Sequence, residues 1–230
     1  VMFGAFHVGG GSASIIYNGN DTAIRFKRDN FDVNDFSKWI YGAAIGNFGV
    51  LGLGGNAKKA FEFWGCSECH FPNITIGANS NSHFNTGIEL NGCSGIFFNN
   101  MLGSYTDVMF DFKINPANRY SNNAIIHISG GDFYANKIMF KAGALSGLYV
   151  SNTWIESCDD IFVADDTTDP FFEIDNIFFD RNNVLMNTAT SNKFINIKNI
   201  ASKKSRIVAM QLSNNVLRYM NGHTNTAVPV

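Results

Sequence analysis

The chain has 230 residues, a net charge of −2 and only 4 Pro. That length suffices for a sizeable core in one or two domains. The charge provides no general field for nucleic acid or an anionic membrane, and no apolar run reaches the ~18–20 residues of a membrane-spanning helix. With 22 Gly, 22 Phe and abundant Asn, and few strong helix formers, the composition favours many short strands joined by tight turns.

In chain order, the opening Val1-Met2-Phe3-Gly4-Ala5 lacks a basic segment followed by an apolar core, so it does not read as a signal peptide. It reads as the start of a piece cut from a longer chain. No Pro-rich, Ser-rich or charged linker follows, so one elongated domain over 1–230 is expected, with coils over about 9–220 and an irregular tail over 221–230. Gly9-Gly10-Gly11 is a turn, since no phosphate-loop Lys follows it. Ile15-Ile16-Tyr17 and Ala23-Ile24-Arg25-Phe26 flank Asn18-Gly19, a hairpin-type turn signal. The polar stretch from Asp29 to Lys38 reads as a loop, and small residues then alternate with Ile45, Phe48, Val50, Leu51 and Leu53.

From Ala60 onward the chain repeats itself. Ala60-Phe-Glu-Phe-Trp-Gly-Cys-Ser is answered by Gly87-Ile-Glu-Leu-Asn-Gly-Cys-Ser, so Glu62 meets Glu89, Gly65 meets Gly92 and Cys66 meets Cys93. A constant offset in this range marks stacked repeats. Within each unit the apolar residues alternate: Phe61 and Phe63, Ile88 and Leu90, Phe110 and Phe112 point inward, placing Glu62, Glu89 and Asp111 on an exposed face. Asn73, Asn100, Asn152, Asn176 and Asn199 each precede an apolar strand, and buried Asn residues stacked in this way can satisfy one another and the backbone. Further strands are expected at 161–163, 171–174, 177–179, 184–186, 194–197, 207–212 and 216–220. The cysteines Cys66, Cys69, Cys93 and Cys158 read chiefly as stacked buried thiols, with a disulfide or a metal or redox role for Cys66-x-x-Cys69 as alternatives.

These features make the fold all-β. The segments GGGSASIIYNGNDTAIRF from Gly9, FEFWGCSECHFPNITIG from Phe61, IELNGCSGIFFNNMLGS from Ile88 and GLYVSNTWIESCDDIFV from Gly147 resemble right-handed, single-stranded parallel β-helices of the pectate-lyase-like superfamily. Bacteriophage tailspike and capsule depolymerase domains are the nearest likeness. The resemblance implies a homotrimer on a phage tail, made in the host cytoplasm, that binds bacterial surface polysaccharide and often cleaves it. A secreted bacterial protein is the alternative location.

Three carboxylates on successive coils are what glycoside hydrolysis needs, as acid and nucleophile or base. Glu62, Glu89 and Asp111 are therefore candidate catalytic groups, with mutual repulsion expected to raise one of their pKa values. Lysine neighbours that neutralise the row are the plain alternative, and calcium a further one; no other cofactor is expected. Trp64 and Asn91 on the same face are candidate substrate contacts, Trp64 as a sugar platform or as packing for a loop. Glu156, with Trp154 packed beneath it, is a second candidate acid or base, and Trp154 is itself a candidate substrate contact or a core residue. The run Asp159, Asp160, Asp165, Asp166 and Asp169 reads as turn chemistry or, less readily, a calcium site. Arg25, Lys113 and Lys141 are the outward bases a polysaccharide lyase would need. Cleavage by hydrolysis thus leads, and a non-catalytic structural or receptor-binding β-helix, or a lyase, stands beside it.

Overall fold

The alternating apolar residues of the repeats fold as strands. Lys59–Trp64, Phe84–Asn91 and Thr106–Lys113 lie side by side, with Phe61, Ile88 and Phe110 in one register row and Phe63, Leu90 and Phe112 in the next. These coordinates belong to a computed structural model, which describes residues 13–53, 58–77, 83–113, 123–164, 171–180, 182, 184–188 and 194–203.

Every strand pairing described is parallel. From Phe84 onward the chain alternates strictly between two sheets, passing through Phe84–Asn91, Ser94–Ser104, Thr106–Lys113, Ala124–Tyr134, Ile138–Ala142, Leu148–Glu156, Asp160–Ala164, Phe171–Asp180, Val184–Thr188 and Phe194–Lys203. Each strand pairs with the strand one circuit earlier in its own sheet. The architecture is an all-β parallel β-helix, as the repeat implied, with one 3-10 turn at Phe36–Lys38 inside the 29–38 loop. The residues 171–174 and 177–179, read from sequence as two strands, are one strand, Phe171–Asp180. The expected strands at 207–212 and 216–220 and the tail lie outside the described residues.

The long sheet bends along a shared column of residues with a left-handed backbone; Gly95, Ile125 and Gly131 add further positive-φ residues within Ser94–Ser104 and Ala124–Tyr134. Asn73, Asn100, Gly130, Asn152 and Asn176 have φ between 52° and 71°, as does Asn47 at 61°. Register aligns them: Asn99, Ser129, Ser151 and Asp175 pair in one row and Met101, Gly131, Thr153 and Ile177 in another, so the residue between forms a column. The bend shifts the inward parity by one, so Phe98 and Met101 are both fully buried. Asn tolerates this conformation better than other residues with a Cβ. Amides along the column bond, Asn73 Nδ2 to Asn47 Oδ1 at 2.8 Å and Asn176 Nδ2 to Asn152 Oδ1 at 2.7 Å. The expected asparagine ladder is present but solvent-exposed rather than buried: its residues sit at an outside corner, and the bend turns their side chains away from the core.

Buried amides do occur, at Asn123, Asn136 and Asn182. Asn136 Oδ1 accepts from Thr106 N and Oγ1 while its Nδ2 donates to Gly103 O. Asn123 grips Cys93 N and Leu90 O, and Asn182 grips Cys158 N and Ile155 O. In each case one side-chain amide spans an N–H and the carbonyl three residues before it on the neighbouring coil. Between the sheets a single hydrophobic cluster runs from Ile24 to Phe179, and all of its largest fully buried side chains are phenylalanines. Rings from successive coils stack, as in Phe110, Phe140 and Phe162 with centroids 5.5 and 4.9 Å apart.

Candidate functional site

The short sheet brings the expected acids together. Arg25 pairs with Glu62, Glu62 with Glu89, Glu89 with Asp111, and Asp111 with Lys141, making one row across five coils. The acids therefore alternate with the core residues as read from sequence. The exposed setting is corrected: Glu62, Glu89 and Asp111 retain only 4%, 5% and 4% of their exposure. They lie on the side opposite the phenylalanines, among basic side chains that satisfy their charge.

Those bases define the electrostatics. Arg25 Nε donates to Glu62 Oε2, and Lys59 Nζ bridges Glu62 Oε1 and Glu89 Oε1 at 2.8 Å each. Lys113 Nζ lies 2.6 Å from Asp111 Oδ2. Burial alone would raise the Glu62 carboxyl, but the hydrogen bonds and charges of Lys59 and Arg25 outweigh it and hold the pKa down to about 2. At Glu62 the expected upward shift from neighbouring acids is thus reversed, because cations stand closer than the next carboxylate. The same contacts push the ammonium of Lys59 and the guanidinium of Arg25 upward. Lys59 had no signal in the sequence: three residues from Glu62 on a strand, it belongs to the opposite alternation. It reaches the row because it sits at the strand's first residue.

The neighbouring row holds Trp64, Asn91 and Lys113 in register. Asn91 is buried, and its Nδ2 donates to Glu89 Oε1 at 3.2 Å and Phe63 O at 3.3 Å, so it positions an acid. Trp64 is half-buried. Phe31, from the 29–38 loop, meets its ring edge-on at 5.9 Å, and Lys27 Nζ lies 4.5 Å over it. Of the two sequence readings of Trp64, the geometry matches packing against a loop. Gly65 makes that packing possible: a Cβ there would lie 2.0 Å from Phe31.

Glu156 and Trp154 are not brought to this row, because they lie on the long sheet. Trp154 is 43% exposed rather than packed beneath Glu156, and its Nε1 donates to Glu156 Oε2 at 3.1 Å. Asp159 precedes the strand Asp160–Ala164 and Asp160 opens it, while Asp165, Asp166 and Asp169 lie outside the described residues. All four cysteines are free and buried. Ser67 pairs with Ser94, so Cys66 and Cys93 hold equivalent positions one coil apart. Hydrogen bonds with Cys69 and Cys93, and then burial, push the Cys66 thiol up, and burial pushes Cys158 up to about 11. Among the described residues no group of three or more His, Cys, Asp or Glu is placed to hold a metal ion, and no helix is long and apolar enough to cross a membrane.

Fold and site together define the class: a parallel β-helix carrying an ion-paired acidic row along one sheet. No family model matches the chain, and a search of curated proteins finds no match.

Proposed function

We propose that this chain is the polysaccharide-binding β-helix of a bacteriophage tail appendage, assembled as a homotrimer, which engages a bacterial surface glycan through the charged face of the short sheet. The resemblance of its repeats to tailspike and depolymerase domains supports this class of partner. The observation that carries the site is the in-register row Arg25, Glu62, Glu89, Asp111 and Lys141. Its accessible groups are the cations that flank the buried acids: the side chains of Arg25 and Lys113 are 48% and 41% exposed, and coils about 4.8 Å apart set their spacing.

Binding leads over cleavage because each carboxylate already touches a cation. Glu62, held at about 2, has no proton to give a leaving oxygen near neutral pH. Hydrolysis is the second reading, favoured by the stacking of three carboxylates on adjacent coils. Neighbours about 4.8 Å apart approach the spacing of a retaining pair. In that reading Glu62 is the ionised nucleophile or base, and Glu89 or Asp111 donates the proton.

The test is incubation with a panel of purified capsular and O-chain polysaccharides. Retention on immobilised glycan is read alongside product masses. At least one glycan should bind the wild type and bind Glu89→Gln or Lys59→Met at least about tenfold more weakly, with no shortening of the glycan. Shorter saturated products would replace this reading with the hydrolase. Unsaturated products would replace it with a lyase and point to Arg25, Lys113 or Lys141. No binding across the panel would overturn it.

A further inference from the structure

The strand Cys66–Pro72 holds a group of sulfurs that the short-sheet site does not use. On an extended strand, residues three apart face opposite sides. Here Glu68, lying between Cys66 and Cys69, adopts a left-handed backbone at φ 54°. The bend turns both cysteines into the core, where both are buried. The Cys66 thiol hydrogen-bonds with Cys69 and, across to the next coil, with Cys93. Three thiols thus meet at one corner of the helix.

Their surroundings are unequal. Backbone N–H groups of Ala43, Ser67 and Gly42 are directed at the Cys69 sulfur. The hydrogen bond with Cys66, and then these N–H groups, hold the Cys69 pKa down to about 7 against the opposing effect of burial. A large share of Cys69 is therefore thiolate at neutral pH, while its partner Cys66 stays protonated because its own pKa is raised. The cover over Cys69 is thin. Its thiol lies 3.7 Å from Ile40 O, in the two-residue strand Ile40–Tyr41, and Tyr41 is 52% exposed. Hydrogen peroxide is scarcely larger than water, so a small local opening of this strand admits it.

The geometry points to a reversible modification site: hydrogen peroxide oxidises Cys69, and Cys66 resolves the product as a Cys66–Cys69 disulfide. The Cys69 thiolate attacks one peroxide oxygen, the O–O bond breaks, and the departing hydroxide takes a proton to become water. Cys69 is then a sulfenic acid. The Cys66 sulfur attacks the Cys69 sulfur, the S–O bond breaks, and the hydroxyl leaves as water with the Cys66 proton. Two thiols and one peroxide give one disulfide and two waters. A bridge between residues three apart closes a very short loop, so it adds little stability through chain entropy. Its part is that of a switch which thiols can reset, not of a staple.

This site is independent of the acidic row and of any glycan. In the test, the full chain is reduced, freed of reductant without oxygen, and treated natively with a small excess of hydrogen peroxide. Intact mass should fall by two hydrogens, and peptide mapping should place the loss within the segment that holds Cys66 and Cys69. Dithiothreitol should restore the starting mass. The rate should rise with pH through about 7. Cys69→Ala should form no disulfide and react at least about tenfold more slowly. Cys66→Ala should stop at a sulfenic acid, trapped by dimedone on unfolding, and Cys93→Ala should give the same bridge as the wild type. Circular dichroism is run on each variant, and the wild-type mapping stands whether or not a variant folds. Four thiols surviving peroxide in the native protein, a bridge that includes Cys93, a rate independent of pH, or a wild-type rate in folded Cys69→Ala would each overturn the proposal.

Discussion

Glu62 shows how a single residue's setting decides its chemistry. Its side chain is 5% exposed and contacts both Arg25 and Lys59. Folding lowers its pKa from 4.5 to about 2. A depressed carboxylate contributes stability above its unfolded pKa and loses it as pH falls through the folded value. At about 1.36 kcal/mol per pH unit, the linked stability is about 3 kcal/mol. In the wild type, unfolding free energy should therefore decline between pH ~4.5 and ~2. Glu62→Gln should flatten that portion of the profile while being less stable at neutral pH, because Lys59 and Arg25 lose a partner. An unchanged acid limb in urea titrations would refute the ion-pair account. The position of Glu62 beside Glu89 was legible in the repeat. Its ionisation was not, because Lys59 and Arg25 approach from a strand end and a neighbouring coil.

At the scale of elements, two kinds of asparagine perform different tasks. Asn152 supplies a left-handed bend at φ 53° on the outside, and Asn136 replaces a missing peptide partner on the inside. Asn152→Gly should be close to neutral, whereas Asn152→Ala should cost about 1 kcal/mol of backbone strain. Asn136→Ala should cost more, about 1–3 kcal/mol, since it strands the buried Thr106 N–H and Gly103 carbonyl. Urea midpoints compared across the three variants check the order; equal losses would remove the distinction. The sequence displayed the outer column through its repeated Asn, and the gap between Asn100 and Asn152 is the coil where Gly130 takes that place. The inner trio was illegible because Asn123, Asn136 and Asn182 share no neighbouring motif. Another element-level feature is a ring ladder on the long sheet, formed by His70, Phe97, His127 and Tyr149 with centroids 4.6–4.9 Å apart. Its rings stack face to face between coils, so the two inner rings, Phe97 and His127, have a ring against each face. Burial lowers the pKa of His127 within it.

For the whole molecule, stacking sets the behaviour. Each coil contacts its neighbours, so solenoid stability is the sum of coil and interface contributions. The four buried cysteines sample this along the axis, from Cys66 to Cys158. Iodoacetamide at neutral pH should label none of the four in the native protein and all four in denaturant. Labelling of Cys158 alone under native conditions would show that the later coils open separately; labelling of Cys66, Cys69 and Cys93 would show the reverse. Protection follows from burial: raised pKa values slow thiolate chemistry further at Cys66 and Cys158, whereas Cys69, lowered to about 7 by its hydrogen bond with Cys66, is shielded by burial alone.

The sequence by itself determined the all-β class, the repeat, the inward phenylalanines and the alignment of Glu62, Glu89 and Asp111. Each of these is a local periodicity, and a strand period of two carries it directly. Tertiary structure alone decided what surrounds those positions. It placed Lys59 between two acids, set Phe31 and Lys27 on Trp64, sent Trp154 and Glu156 to another sheet, and chose which asparagines face water. The reason is physical: alternation states which side of a strand a residue occupies, whereas its charge state and partners depend on strand ends and on neighbouring coils that lie far away along the chain and about 4.8 Å away in space.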